Sequence, residues 1–234
     1  MYKRQYWTQE ISDTYRPTSR HEVGHADTSL FGYLDALDGS FDSFLERVGE
    51  PIDYDAYFKK HVYHVPFGGM TFRAHKAVMR RFARMKTSEA RAHWGRKTQP
   101  SLVYNSQFGG TYTSATFVAL MGLIDGSDDL GEGDRISMYS YGSGSCAEFY
   151  SLKLGARARE KVAAEQLQAR LDARKALSVE AYEEVEGRRA NQVDNDTFEV
   201  STEGFDGHYA AAYEGQQRLV LRGVDGWERR YELS

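Results

Sequence analysis

The sequence predicts an α/β fold of layered helices and mixed sheet. Segments with apolar residues at helical spacing alternate along the chain with short strand-like runs, and two of those runs flank a turn of only small residues. A third stretch, Ser114 to Ile124, is apolar nearly throughout, as expected of a helix covered on most sides. With 234 residues, of which 41% are hydrophobic, the chain can bury a sizeable core. It reads as one compact unit over residues 1–234, with no internal repeat, low-complexity segment or domain boundary.

The elements follow in order. Tyr15-Arg-Pro17 precedes a polar stretch, and helical spacing begins near Ser29 with Leu30, Phe31, Leu34 and Leu37, then Phe41, Phe44, Leu45 and Val48. Asp38-Gly39 divides this pattern, so one amphipathic helix or a broken pair fits it. Pro51 opens a second short helical piece, Tyr54 to Lys60, and Thr71 to Lys86 forms a helix with Phe72, Met79, Phe82 and Ala83 inward. Leu102-Val-Tyr104, after Pro100, reads as a short strand before Gly109-Gly110. A loop over Asp125 to Gly133 leads to two strands, Arg135 to Tyr141 and Ala147 to Leu154, joined through Gly142-Ser-Gly-Ser. A charged helix over Ala156 to Leu177 precedes another from Ser178, its N-cap, to Ala190. Arg218 to Val224 and Trp227 to Leu233 close the chain as a hairpin about Asp225-Gly226.

Composition excludes several classes. A net charge of −4 gives no reason to expect nucleic acid as a partner. The single Cys146 rules out an internal disulfide framework, so a reducing cytoplasm is the expected compartment. No apolar run reaches the roughly 20 residues of a membrane span, and Met1 to Thr8 lacks the apolar core of a signal peptide.

Two motifs match known patterns but lack their context. His21-Glu-Val-Gly-His25 fits the zinc-protease spacing, yet Gly24 interrupts it and no apolar helical stripe runs through, so it reads as polar loop and no metal is expected. Gly142-Ser-Gly-Ser-Cys-Ala147 fits a dinucleotide fingerprint, but a strand follows where that fingerprint needs a helix N-terminus. Cys146 has no cation beside it in sequence and reads as a small buried packing residue rather than a nucleophile. His64 differs from these. Pro66 restricts Val65 to extended geometry and the two glycines after Phe67 keep nearby bulk small, so the ring can be presented to a carbonyl; a structural histidine is the alternative.

Three motifs, His64-Val-Pro-Phe67, Gly109-Gly-Thr-Tyr-Thr113 and Tyr139-Ser-Tyr-Gly-Ser-Gly-Ser-Cys146, occur in an order that resembles the C-terminal half of the 3-hydroxy-3-methylglutaryl-CoA synthases. The resemblance extends over most of the chain and implies a thiolase-like fold, of which this chain supplies one sheet and its covering helices. In that family a cysteine takes an acetyl group, a glutamate removes a methyl proton, and the carbanion equivalent attacks the 3-keto group of a second thioester. His64 matches the histidine beside the acceptor carbonyl; Ser143, Gly142, Tyr112 and Gly109 match pocket residues. The family's cysteine and glutamate belong to an N-terminal half that this chain is expected to lack, so the chain alone is expected to be inactive. The substrates implied are acetyl and 3-ketoacyl thioesters of acyl carrier protein or CoA, with no other cofactor, and the complete enzyme is expected to be a homodimer. Gly110 stands where the family often has asparagine.

Gly68-Gly69 replaces a CoA-contacting lysine of many relatives, which makes the chain look more like the branch that adds β-methyl carbons to polyketides on carrier proteins. Arg73, Lys76, Arg80 and Arg84 recur at three- and four-residue spacing, a cationic stripe suited to an acidic carrier protein. An ordinary solvated helix face has the same pattern. A non-catalytic thiolase-fold half that serves carrier docking or dimerisation is the rival reading.

Overall fold

The computed structural model describes residues 4–203 and 207–234; residues 1–3, the start of the segment read as lacking an apolar leader core, lie outside them. Where the sequence reading expects one unit, the chain divides into two: Met1–Tyr15 with Val23–Arg174, and Arg16–Glu22 with Lys175–Ser234. The physical reason is that the C-terminal strands form a sheet of their own instead of extending the first one.

The first unit holds β1 (Arg4–Thr8), then β2 (Thr14–Thr18) and β3 (His21–Gly24), a two-stranded ribbon whose tip belongs to the second unit. There follow α1 (Ala26–Val48), α2 (Tyr54–Tyr57), β4 (Lys60–Val62), α3 (Gly68–Ala83), α4 (Thr87–Lys97), α5 (Leu102–Asn105) and α6 (Ser114–Asp125). The unit closes with β5 (Arg135–Gly142), β6 (Cys146–Lys153), α7 (Ala158–Ala164) and α8 (Leu167–Asp172). Its mixed sheet has the order β1-β6-β5-β4, with β4 parallel to β5 and the other pairs antiparallel.

Alternation along the strands sorts side chains onto two faces. Tyr139, Tyr141, Ala147 and Phe149 join Tyr33, Leu37, Phe41 and Phe44 of α1 and Ala74, Val78 and Met79 of α3 in one core. Val62, Ile136, Met138 and Leu152 face the other way, onto Ala115, Ala119 and Leu123 of α6. Tyr63 thus joins the first core and Val62 the second, while His64, beyond the end of β4, sits between Tyr33 and Tyr141 of the first core and Thr116 of α6.

Helix α1 runs unbroken through Asp38-Gly39, the single-helix alternative, and Gly39 is a seat for Trp7: a Cβ there would lie 2.4 Å from the indole. Several other expectations are corrected by packing. His21 to Gly24 is strand rather than loop, a geometry that cannot place two histidines on one helical face. Leu102 to Tyr104 is a helical turn, not a strand; it sits behind a 3₁₀ turn over Gln99–Ser101 and packs on α6. Strand β4 and helix α4 had no periodic signal, being too short and too polar. Phe82 faces inward as expected, following Met70, Ala74 and Val78 at four-residue spacing and packing on Phe41 and Tyr54, but Ala83 is exposed. The charged stretch after Gly155 is two helices, interrupted where Gln166 takes a left-handed conformation at φ 48°.

The second unit contains α9 (Val179–Gln192), β7 (Phe198–Glu199), α10 (His208–Ala212), β8 (Leu219–Asp225) and β9 (Glu228–Leu233), with sheet order β7-β8-β9. Ser178 caps α9 by accepting a hydrogen bond from the Ala181 amide at 3.2 Å, as expected. The final hairpin is present, its turn centred one residue later, on Gly226 and Trp227, both at positive φ. No helix among the described residues is long and apolar enough to cross a membrane.

Candidate active site

Three segments converge at the C-terminal end of β4. Leaving the strand, the chain places His64 in the protein, 7% exposed, with Nδ1 3.4 Å from Thr116 Oγ1 of α6 and its carbonyl accepting the Tyr33 hydroxyl at 2.9 Å. The Tyr33 and Tyr141 rings lie 6.4 and 6.3 Å from the imidazole, centroid to centroid. Burial pulls the His64 pKa down to about 4, so the ring is neutral at physiological pH.

Val65, Pro66, Phe67 and Gly68 then line a cavity of about 390 Å3 with Leu102, Asn105, Ser106, Phe108, Gly109 and Gly110. The first turn of α3 is pinned there, since Trp94 Nε1 donates to Thr71 Oγ1 at 3.2 Å and Thr71 donates to the Gly68 carbonyl at 2.7 Å. A Cβ at Gly109 or Gly110 would meet nothing within 4 Å. Glycine at 110 thus removes the family's amide from open space and relieves no crowding. Two sequence-derived site groups, the His64 motif and Gly109, therefore share one cavity. Tyr112 stands apart at 77% exposure, in a left-handed conformation at φ 50°.

The β5–β6 turn is set from below by a residue that the sequence reading missed. Asp13 is fully buried, and its Oδ1 accepts the backbone amides of Gly144 at 2.8 Å and Thr14 at 2.9 Å. Its Oδ2 accepts the Tyr141 hydroxyl at 2.9 Å, and the Gln9 amide holds the Ser145 carbonyl at 2.9 Å. Burial first, and then the Asp13 carboxylate, push the Tyr141 hydroxyl well above its ordinary range. Gly144 at φ 83° and Ser145 at φ 66° make the turn, which leaves Ser143 exposed at its tip and Gly142 half-buried. An Asp two residues before Tyr15-Arg-Pro17 carries no periodic or motif signal of its own. Cys146, expected to be buried, is exposed, because the strand begins at the turn's mouth.

Arg73, Lys76 and Arg80 lie together on the outer face of α3, exposed as a stripe should be. With Ala77, Arg81, Leu30 and Leu34 they border a groove of about 730 Å3. Arg81 is bound to Asp38 and Asp42 of α1. Arg84 leaves the stripe, since it ends α3 at φ 53°. Among the described residues, no group of histidine, cysteine and carboxylate side chains could hold a metal ion.

Comparison with known proteins agrees with this geometry. The family described as hydroxymethylglutaryl-coenzyme A synthase C terminal matches residues 75–213. A polyketide-biosynthesis 3-hydroxy-3-methylglutaryl-ACP synthase of Bacillus subtilis is 37% identical over 179 residues, covering 76% of this chain and 42% of the relative. A hydroxymethylglutaryl-CoA synthase of Enterococcus faecalis is 30% identical over 179 residues, covering 75% and 44%. The solved HMG synthase of the curacin biosynthetic pathway, in complex with its acetyl donor-ACP, superposes with a TM-score of 0.90 at 35% identity over 99% of this chain and 56% of that one. The chain thus spans about half the length of the relatives it matches. With a matched family profile over more than half its residues and the thiolase-like arrangement of these synthases, the chain belongs to the hydroxymethylglutaryl-CoA synthase family, in the C-terminal portion of that enzyme.

Proposed function

We propose that this chain supplies the acceptor side of a condensing site that adds an acetyl unit to a 3-ketoacyl thioester, in β-branching of a polyketide held on an acyl carrier protein. The observation that carries the reading is His64, buried and neutral, directly before Val65, Pro66 and Phe67, which line a cavity with the Gly109-Gly110 loop. If Thr116 donates to Nδ1, the ring keeps its hydrogen on Nε2, where it can donate to the acceptor carbonyl. As the new carbon–carbon bond forms, that oxygen gains alkoxide charge, which the positioned N–H stabilises by hydrogen bonding; the proton that completes the product hydroxyl balances the one the glutamate removes from the acetyl methyl group. Gly142 and Ser143 on the Asp13-held turn, with Gly109 and Tyr112, are the acceptor's further contacts in this reading. No cofactor beyond the thioesters is needed.

The nucleophilic cysteine and proton-removing glutamate come from the part of the family's length that this chain does not span. Among the described residues no base is hydrogen-bonded to the Cys146 thiol, so it is not an activated nucleophile. Helix α6 fits the same reading. It is apolar on nearly every side, yet Phe117 is 55% exposed, as on a surface that another segment covers. The carrier-protein preference draws on the exposed Arg73, Lys76 and Arg80 beside an apolar floor, and on similarity to synthases described as acting in polyketide biosynthesis or bound to a donor-ACP. A homodimer of the complete enzyme in the cytoplasm belongs to the same proposal.

Intact-mass spectrometry and product assay test it together. This chain alone should acquire no acetyl group from an acetyl carrier protein. Combined with an N-terminal portion bearing the cysteine and glutamate, His64→Ala should leave acetylation intact and lower condensation by about two to four orders of magnitude. Equal condensation by mutant and parent would make His64 structural.

A further inference from the structure

A second cluster of titratable groups surrounds His61 of β4, and the condensing chemistry does not use it. Asp55 Oδ1 meets His93 Nε2 at 2.8 Å; His93 Nδ1 meets His75 Nε2 at 2.7 Å; His75 Nδ1 meets the Tyr63 hydroxyl at 3.1 Å. Tyr63 continues to the Tyr54 hydroxyl at 3.5 Å, Tyr54 to Ser137 Oγ at 3.4 Å, and Ser137 to His61 Nδ1 at 2.8 Å. The far end, His61 Nε2, is buried and without a hydrogen-bond partner. Contributions come from α2, β4, α3, α4 and β5, so the chain of bonds stitches both helices to the strand that leads into His64.

Thr98 Oγ1 also lies 3.4 Å from His75 Nδ1 and can donate or accept there in either state, so filling every link of the chain leaves two patterns. With His93 neutral, its Nε2–H goes to the Asp55 carboxylate and its Nδ1 must accept, so His75 carries its hydrogen on Nε2. His75 Nδ1 then accepts from Tyr63, Tyr63 from Tyr54, Tyr54 from Ser137, and Ser137 from His61 Nδ1–H. With His93 charged, every link reverses. His93 Nδ1–H donates to His75 Nε2, His75 donates from Nδ1, the three hydroxyls turn to donate toward His61, and His61 Nδ1 accepts with its hydrogen moved to Nε2. The two patterns differ by one proton taken from solvent, and that proton resides on His93; every other member holds one hydrogen in both.

We propose that this buried chain is a two-state proton switch, in which the charge of His93 beside Asp55 sets the tautomers of His75 and, through Tyr63, Tyr54 and Ser137, of His61 in the core. His93 is the member placed to carry the charge, because Asp55 faces it from α2. Lys97 of α4 shares that carboxylate at 2.7 Å and opposes a second cation. Around the inner rings stand Lys60 of β4, Lys97 and the other imidazoles. Burial drives His75 down to about 3 and His61 well below its ordinary range, which keeps both neutral in either state. Partial burial opposes, and hydrogen bonds from Lys97 and His93 outweigh it, holding the Asp55 carboxyl below the usual carboxylate range.

Long-range proton–nitrogen correlation of the chain carrying 15N-histidine, followed from about pH 8 to pH 5 where histidine titrates, tests the switch. The protonated and bare nitrogens of His75 and His61 should exchange places at the pH midpoint at which His93 charges, with neither ring charging. Tyr63→Phe should free His61 from that midpoint while His75 still follows His93; if that variant does not fold, Ser137→Ala makes the same cut. A fixed His61 or His75 tautomer while His93 charges, a His61 that still follows in the cut variant, or a His93 that never charges over this range would each overturn the proposal.

Discussion

Replacing Asp13 tests whether the β5–β6 turn is held by one buried carboxylate. Asp13→Ala strips three donors of their acceptor, the amides of Gly144 and Thr14 and the Tyr141 hydroxyl. A buried donor left unpaired costs about 1–3 kcal/mol, although the two amides are only part-buried and water can reach them in part. Removing the charge also removes the cost of having buried it, which offsets some of the loss. The balance is a destabilisation of about 3 kcal/mol. Asp13→Asn should cost about 1 kcal/mol, since the amide oxygen can still accept both backbone groups while its NH2 meets a Tyr141 hydroxyl turned to accept. Urea unfolding with an unchanged slope measures both, a shift in midpoint alone reporting stability. Hydrogen exchange at the Gly144 amide localises the effect. A loss below about 1 kcal/mol for Asp13→Ala, or a Gly144 amide as protected as the parent's, would refute the reasoning.

Three further outcomes follow from the same structure. The His64 imidazole has its pKa lowered to about 4 by burial, so the unfolded chain takes up its proton first as pH falls below the ordinary histidine value; stability present above about pH 6.5 should decline by about 3 kcal/mol toward pH 4, and His64→Gln should flatten that part of the stability profile. An unchanged profile in the variant would show that His64 is not desolvated. Reversing Arg73, Lys76 and Arg80 to Glu should slow association with an acidic carrier protein, and the fall of the parent's on-rate with rising salt should turn into a rise, read by stopped flow once circular dichroism shows the variant folded; equal rates would reduce the stripe to a solvated helix face. Gly39→Ala should destabilise despite the gain of about 1 kcal/mol in helix propensity, because its Cβ would sit 2.4 Å from the Trp7 indole; in a Trp7→Ala background the same change should stabilise, and additivity of the two would deny the contact.

Local pattern was enough for the elements whose signal is short-range. The buried helix α6, the strands β5 and β6, the Ser178 cap and the final hairpin each follow from periodicity or turn chemistry within a dozen residues, and the order of three motifs sufficed to name the family. The sequence also marked His64, whose rigid Val65-Pro66 context can be read directly. What it could not determine depends on groups far apart in the chain. Gly39 looks like a helix break until Trp7, 32 residues earlier, fills the space a side chain would need. Asp13 looks like any polar loop residue until the fold sets it under Gly144, 131 positions away. Strand β4 is three residues long and takes its form from pairing with β5, not from its own composition. That pairing fixes His61 opposite Ser137, while His64 lies past the strand's end against Thr116, so two histidines three residues apart enter different chemistry, one in a closed hydrogen-bonded chain and one at the start of the cavity-lining motif.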